Sequence, residues 1–295
     1  MIMKDFKTHI VIMAGGIGSR LYPLSTPEKP KQFLDLLERG ETLIQMTYNR
    51  FRSVDPDAEF WVVTSELYAH FVKEQLPDIP DTHILCEPEP RSTTPCIAYA
   101  SWKIAAGSSD GSKDCVIVTP SDAYVPDYGE FALTMRSALD FVKDKHAIVC
   151  VGITPDHPET NYGYIHCSET GKGRNTVSKV LAFKEKPDMV TATEYFEEGT
   201  YLWNAGIFVW NLDTIASEIR EHAPATAGLM DELAPDLFGP GEKESLSRLF
   251  PQCEKVSIDY SVMEKSDSVY VVPGEWEWSD LGGFEALSKI TGKKY

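Results

Sequence analysis

The chain predicts an α/β fold built on a doubly wound mixed, mainly parallel sheet, and three observations carry that expectation. Short Val- and Ile-rich runs recur up to about Ile153, longer amphipathic stretches separate them, and the texture changes after Thr154. Apolar runs of four to eight residues without polar alternation suit strands buried on both faces. Strand alternating with helix argues for parallel pairing through crossovers.

In chain order, the runs "HIVIMA", "EFWVVTS", "HILCEP", "CVIVTPSD" and "AIVCVGI" are expected as strands. Residues 42–54 and 128–143 between them read as helices. Beyond Thr154, "NYGYIHC", "VSKVLAFKEKP" and "YLWNAGIFVWN" follow closely, with Gly, Asn and Pro between them. They are expected as an antiparallel or mixed extension of the same sheet. A helical stretch over 212–250, a strand in "SVYVVPG" and a last helix complete the chain. The expected organisation is one domain over 1–295, with lobes at 1–153 and 154–295. In such a sheet, reactive residues belong at the carboxyl ends of the strands.

Composition narrows the function. With 295 residues and 42% hydrophobic content, the chain can bury a large core. A formal net charge of -17 excludes a nucleic-acid-coating protein, which needs a basic footprint. It leaves room for a small anionic ligand held by local cations. The six cysteines are scattered without a CxxC pair, which argues against zinc and against a disulfide scaffold. No apolar run reaches the roughly 20 residues of a membrane span, and no signal peptide is recognisable. A cytoplasmic setting, with no membrane partner, is expected.

Chemistry concentrates at "AGGIGSRLYPLSTPEKPKQF". Gly15, Gly16 and Gly18 follow the first strand, where glycine lets backbone N–H groups approach a ligand. Successive N–H groups make a concavity for phosphate, although a glycine loop alone is also what a plain turn uses. The spacing is neither GxGxxG nor GxxxxGK[ST]. Arg20 and Lys31 follow on a segment that Pro23, Pro27 and Pro30 keep out of helix. A stiff arm carrying a guanidinium and an ammonium over the loop is a clamp for a triphosphate. "EPEPRSTTPCIAYAS" reads as a loop in which Thr94 caps a helix starting near Pro95. "VIVTPSDAYV" sets Asp122 at the end of a strand, as a site carboxylate or a turn cap. Asp280 in "WEWSDLGGF" reads, with Ser279, as the cap of the last helix.

Together these segments resemble the sugar-phosphate nucleotidylyltransferases, whose signature is GGxGxRLxPLS followed by PKQ. The match recurs in order along nearly the whole chain and is strongest to the guanylyltransferase branch. The resemblance implies a Rossmann-like, glycosyltransferase-A-like sheet with a smaller antiparallel sugar-binding lobe, and transfer of GMP from GTP to mannose 1-phosphate. It implies catalytic roles for Arg20, Lys31, Asp122 and Asp280, with Mg²⁺ on the two aspartates. It assigns nucleotide binding to Ala14, Gly15, Gly16, Gly18, Ser19, Arg20, Glu87, Arg91, Thr93 and Ser121. Gly163, Glu185 and Asn204 would hold sugar hydroxyls and Lys186 the sugar phosphate, with Asp259 facing the site. The chain departs from the pattern at Ser92, where asparagine is usual, and at Ala123, where histidine is usual. A sibling with another base or hexose, and a non-catalytic homologue that binds GDP-mannose, are the competing expectations. The chain stops at Tyr295, so no β-helix or isomerase domain is expected; a homodimer is left open.

Overall fold

Strand β1 (Thr8–Met13) forms because His-Ile-Val-Ile puts Val11 on one face and Ile10 and Ile12 on the other, each fully buried. A computed structural model describes residues 6–16, 18–108, 113–167, 173 and 175–295. β1 pairs in parallel with β2 (Glu59–Ser65) and β4 (Cys115–Pro120), and β2 pairs in parallel with β3 (Ile84–Glu87). Helices α1 (Leu43–Arg52), α2 (Ala69–Gln75) and α4 (Tyr128–Val142) cover the Ile10 face. The Val11 face carries α3 (Thr93–Gly107), α6 (Leu212–His222), α7 (Pro224–Leu233) and α8 (Glu242–Leu249). Helix α3 is apolar around most of its circumference because it lies between the sheet and α6–α7.

The second half is antiparallel or mixed, as expected of it, but enough of its pairings are antiparallel that the sheet as a whole is not mainly parallel. β5 (Ile148–Ile153) and β9 (Val269–Gly274) pair in parallel, but the long β8 (Tyr201–Asn211) runs antiparallel between β4 and β5. β6 (Tyr164–Cys167) and β7 (Ser178–Lys184) are antiparallel to each other. The sheet is therefore mixed, in the order β3-β2-β1-β4-β8-β5-β9-β7-β6. Because β6 also pairs with β8, the pairings β5–β9–β7–β6–β8–β5 close on themselves. That closure sets Gly163, which precedes β6, beside Asn204 of β8: the amide of Asn204 donates to the Gly163 carbonyl at 2.8 Å. Helix α5 (Met189–Glu198) and the last helix, α9 (Phe284–Thr291), complete the fold.

Three helix expectations need correction. The stretch 212–250 is broken at Pro224, which cannot continue α6 and starts α7, and again at Pro235 and Pro240. Helix α3 starts at Thr93, so Thr94 lies inside it rather than capping it. Helix α9 starts at Phe284, so neither Ser279 nor Asp280 caps it. The six cysteines are free, five of them buried in the apolar layers.

Candidate active site

The glycine loop leaves β1 at its carboxyl end and is held by backbone and side-chain bonds. The Ala14 amide donates to Val63 O at 2.8 Å, and its carbonyl accepts from Thr64 Oγ1 at 3.0 Å. Gln32 Nε2 donates to the carbonyls of Ala14 (3.2 Å) and Gly16 (2.7 Å), tying the loop to the PKQ segment. Gly15 and Gly16 are exposed and bare. Gly18 needs glycine for a different reason: its φ is +57°, and a Cβ would lie 2.7 Å from Ser25 Oγ and 3.0 Å from Lys31 Cγ. From Gly18 the chain turns through a short 3-10 segment, Ser19–Leu21, which buries Leu21 and leaves Arg20 exposed.

Lys31 is not the free cation that the sequence suggests. Its side chain is 11% exposed, and three oxygens surround the ammonium: Asp122 Oδ2 at 3.1 Å, Asp280 O at 2.7 Å and Leu281 O at 3.2 Å. An ammonium has three N–H donors, and all three have acceptors here. Lys31 therefore ties the loop after β4 to the loop before α9. Those loops are also joined directly by reciprocal backbone bonds between Tyr124 and Ser279, at 2.8 and 3.1 Å. Beneath them Leu21, Leu43, Met46, Tyr124, Leu281 and Leu287 form one apolar cluster. Leu281 has φ +47° with a fully buried side chain. A left-handed backbone costs about 1–2 kcal/mol and burying a leucine gives about 1.5–3 kcal/mol, so its burial holds the turn that presents Asp280.

Asp122 and Asp280 are each about one-quarter exposed. Asp280 Oδ1 accepts from Tyr162 OH at 2.8 Å and from the Gly282 amide at 2.9 Å; Oδ2 faces Arg20 Nη2 at 3.5 Å. At Ala123, where the resemblance expects histidine, the carbonyl accepts from Arg50 Nη1 at 3.0 Å. Arg50 is fully buried between the rings of Phe51 and Phe131, and burial lowers its pKa to about 10. Its position on α1 looks like an ordinary surface charge in the sequence, and nothing there marks it as support for the Asp122 loop.

Glu87 ends β3 beside Gly15, whose Cβ would lie 3.7 Å from Oε2. Burial pushes its carboxyl up to about 7, against the lowering effect of a hydrogen bond from the Cys96 thiol. Arg91 is turned to Glu89, with which it forms an ion pair. Thr93 Oγ1 accepts from the Ile258 amide at 2.9 Å, so it joins α3 to the segment bearing Asp259. Thr94 strengthens that join through Ser261 Oγ at 2.7 Å. Ser92 has φ +68° and ψ -174°, a region in which residues with a side chain are strained. Ser121 is buried at the end of β4.

Gly163, Glu185, Lys186, Asn204 and Asp259 lie close together. A Cβ on Gly163 would lie 2.5 Å from Glu185 Oε2 and 3.3 Å from Asn204 Cβ. Glu185 is 7% exposed and forms an ion pair with Lys186, which has φ +46°. Asn204 Nδ2 donates to Asp259 Oδ1 at 3.1 Å, and its Oδ1 accepts from the Gly206 amide at 3.0 Å. Burial, then the charge of Glu185, raises the Asp259 carboxyl to about 6. Asp259 opens a π-helical turn, Asp259–Met263. Tyr162 packs edge-on against Trp203 and Trp278, at 5.2 and 5.1 Å between ring centroids. Sequence reasoning singled out its segment but not Tyr162 itself.

Among the described residues, no three His, Cys, Asp or Glu converge as a metal cluster. The Asp122–Asp280 pair suits a hard cation that takes its other ligands from phosphate and water, as Mg²⁺ does. Cavities of about 130 Å³ at Phe196 and Tyr201 and about 300 Å³ at His9 and Trp61 contain none of these groups.

A family model of nucleotidyl transferases matches residues 9–294. The mannose-1-phosphate guanylyltransferase of Escherichia coli K12 is 35% identical over 98% of this chain and 61% of its own length. Mannose-1-phosphate guanylyltransferase RfbM of Salmonella typhimurium LT2 is 35% identical over 97% of this chain and 59% of its own length. This chain thus spans about three-fifths of these curated relatives. A crystal structure from Thermus thermophilus, described as a mannose-1-phosphate geranyltransferase, superposes with a TM-score of 0.85 at 30% identity, covering 98% of this chain and 80% of that one.

Proposed function

The chain belongs to the nucleotidyl transferase family, and from that premise we propose that it transfers GMP from GTP to mannose 1-phosphate, giving GDP-mannose and pyrophosphate. One observation carries the reading: Asp280 is approached by Arg20 from the glycine loop and by Tyr162 from the Gly163 side. Its carboxylate is thus common to both halves of the crevice.

In this reading the glycine loop receives the triphosphate on its backbone N–H groups, and Arg20 leaves Asp280 to meet the phosphates. Glu87 reads the base. Guanine presents an N1–H and a 2-amino group side by side, two donors for a carboxylate that lies beside the glycine loop at Gly15; adenine and the pyrimidines lack that pair. Gly163, Glu185 and Asn204 hold the hexose and Lys186 its phosphate. An oxygen of the acceptor phosphate attacks the α-phosphorus in line, a P–O bond forms, the bond to the β-phosphate oxygen breaks, and pyrophosphate leaves. No proton transfer or covalent enzyme intermediate is needed, so catalysis is positioning and charge stabilisation. Asp122 and Asp280 would hold Mg²⁺, which supplies charge neutralisation at the phosphates when bound. Lys31 holds the two aspartate loops in register.

No helix among the described residues is long and apolar enough to cross a membrane. The test is pyrophosphate release by purified protein with Mg²⁺, pairing each of GTP, ATP, CTP, UTP and dTTP with mannose 1-phosphate and glucose 1-phosphate. Release confined to GTP with mannose 1-phosphate is expected. Another preferred pair would overturn the base or hexose assignment, and tight GDP-mannose binding without turnover would favour a regulatory homologue.

A further inference from the structure

We propose that Tyr162 couples acceptor binding to cation binding: its hydroxyl holds one oxygen of Asp280 and so orients the carboxylate that would hold the cation. This inference rests on the reading above.

The two oxygens of Asp280 are unequal. Oδ1 receives two donors, Tyr162 OH at 2.8 Å and the Gly282 amide at 2.9 Å, which fix the carboxylate plane and occupy that oxygen. Among the described residues, Oδ2 has only the long contact to Arg20, a side chain 59% exposed and able to swing away. Ligand oxygens held by outer hydrogen bonds bind metal in a defined orientation, and loss of such a bond weakens binding.

Tyr162 is held on the acceptor side. Its ring is wedged between Trp203, which precedes Asn204, and Trp278, which lies two residues before Asp280. The next residue, Gly163, is packed against the Glu185 carboxylate, which a Cβ would displace, and bonded to Asn204. A sugar phosphate settling on Gly163, Glu185 and Asn204 therefore orders the backbone one peptide unit from Tyr162, and through it Asp280. By linkage, the acceptor must then tighten the cation, and the cation the acceptor, by the same factor. Tyr162 contacts no reacting atom and acts as a positioning residue.

Mn²⁺ binding to the full chain, read from loss of the free-ion EPR signal with and without mannose 1-phosphate, tests the proposal. Tyr162→Phe keeps the ring contacts and removes only the hydroxyl. Mannose 1-phosphate is expected to tighten Mn²⁺ several-fold in the natural chain. In Tyr162→Phe, Mn²⁺ affinity is expected to fall about tenfold and the acceptor effect to vanish, with a raised Mg²⁺ activation constant and an unchanged KM for GTP. Natural Mn²⁺ affinity in Tyr162→Phe, or an acceptor effect that persists there, overturns the inference. Asp280→Asn separates the two levels. If it loses Mn²⁺ while Tyr162→Phe does not, only the role of Tyr162 fails; if it too binds Mn²⁺ normally, the cation reading fails with it.

Discussion

On the glycine-loop side of the crevice, the polar side chains that shape the site are bonded to backbone carbonyls: Gln32 to Ala14 and Gly16, Lys31 to Asp280 and Leu281, Arg50 to Ala123. On the Gly163 side, side chains face one another, and most are acidic: Glu185 and Asp259 lie close enough to raise the Asp259 carboxyl, and Glu264 accepts from the Glu185 amide. The first side is thus tied together through its backbone. The second holds like charges together with one lysine on a left-handed backbone, an arrangement that hydroxyl and phosphate partners relieve. On the proposed reading, the phosphate seat is built on backbone while hexose recognition is left to titratable groups.

The sharpest way to break this comparison is at the residue both sides share. Asp280→Asn is expected to lower kcat roughly 10²- to 10³-fold, the scale of losing one preorganised electrostatic group, whereas Glu185→Gln raises KM for mannose 1-phosphate and leaves KM for GTP alone. Steady-state kinetics in both substrates separates them; equal effects on both KM values would erase the distinction.

Glycine substitutions come next. Gly18→Ala forces a side chain into φ +57° against Ser25 and Lys31, so it should cost about 1–2 kcal/mol and lower Tm by several degrees. Gly163→Ala meets the end of the flexible Glu185 side chain, so it should leave Tm nearly unchanged and raise KM for mannose 1-phosphate. Calorimetry with kinetics decides, and a reversed pattern would place the tied side at Gly163.

Acidity sharpens the contrast further. Glu87 is raised to about 7 by burial, and only its ionised form accepts both guanine donors. Below pH 7, GTP affinity should therefore fall about tenfold per pH unit, levelling off above it. Glu87→Gln should bind GTP weakly with no such slope; an unchanged slope would remove Glu87 from base reading. The smallest effect is expected far from the crevice. Arg248→Ala breaks an exposed ion pair with Glu232 and should change stability by less than about 1 kcal/mol in chemical denaturation.

Strands β1 to β5 were legible because each is an unbroken apolar run, the signature of burial on both faces. The antiparallel placement of β8 between β4 and β5 was not, since a strand's own residues do not name its neighbours. At the site, Gly18, Asp122 and Asp280 stand out because a short motif and a strand end mark them. Lys31 was legible as a cation but not as a tether, because two of its acceptors lie about 250 residues away. The Tyr162–Asp280 bond spans 118 residues and exists only because β6 closes against β8. Arg50 was invisible for a physical reason: its burial depends on α1 docking on α4, which no local pattern records.

The most direct test of the central claim, that both halves act as one site in a single displacement, is exchange of labelled pyrophosphate into GTP. Exchange is expected only when GDP-mannose is present, because the α-phosphorus passes straight between the two substrates. Exchange with protein, Mg²⁺ and GTP alone would demand a covalent guanylyl-enzyme and contradict the account.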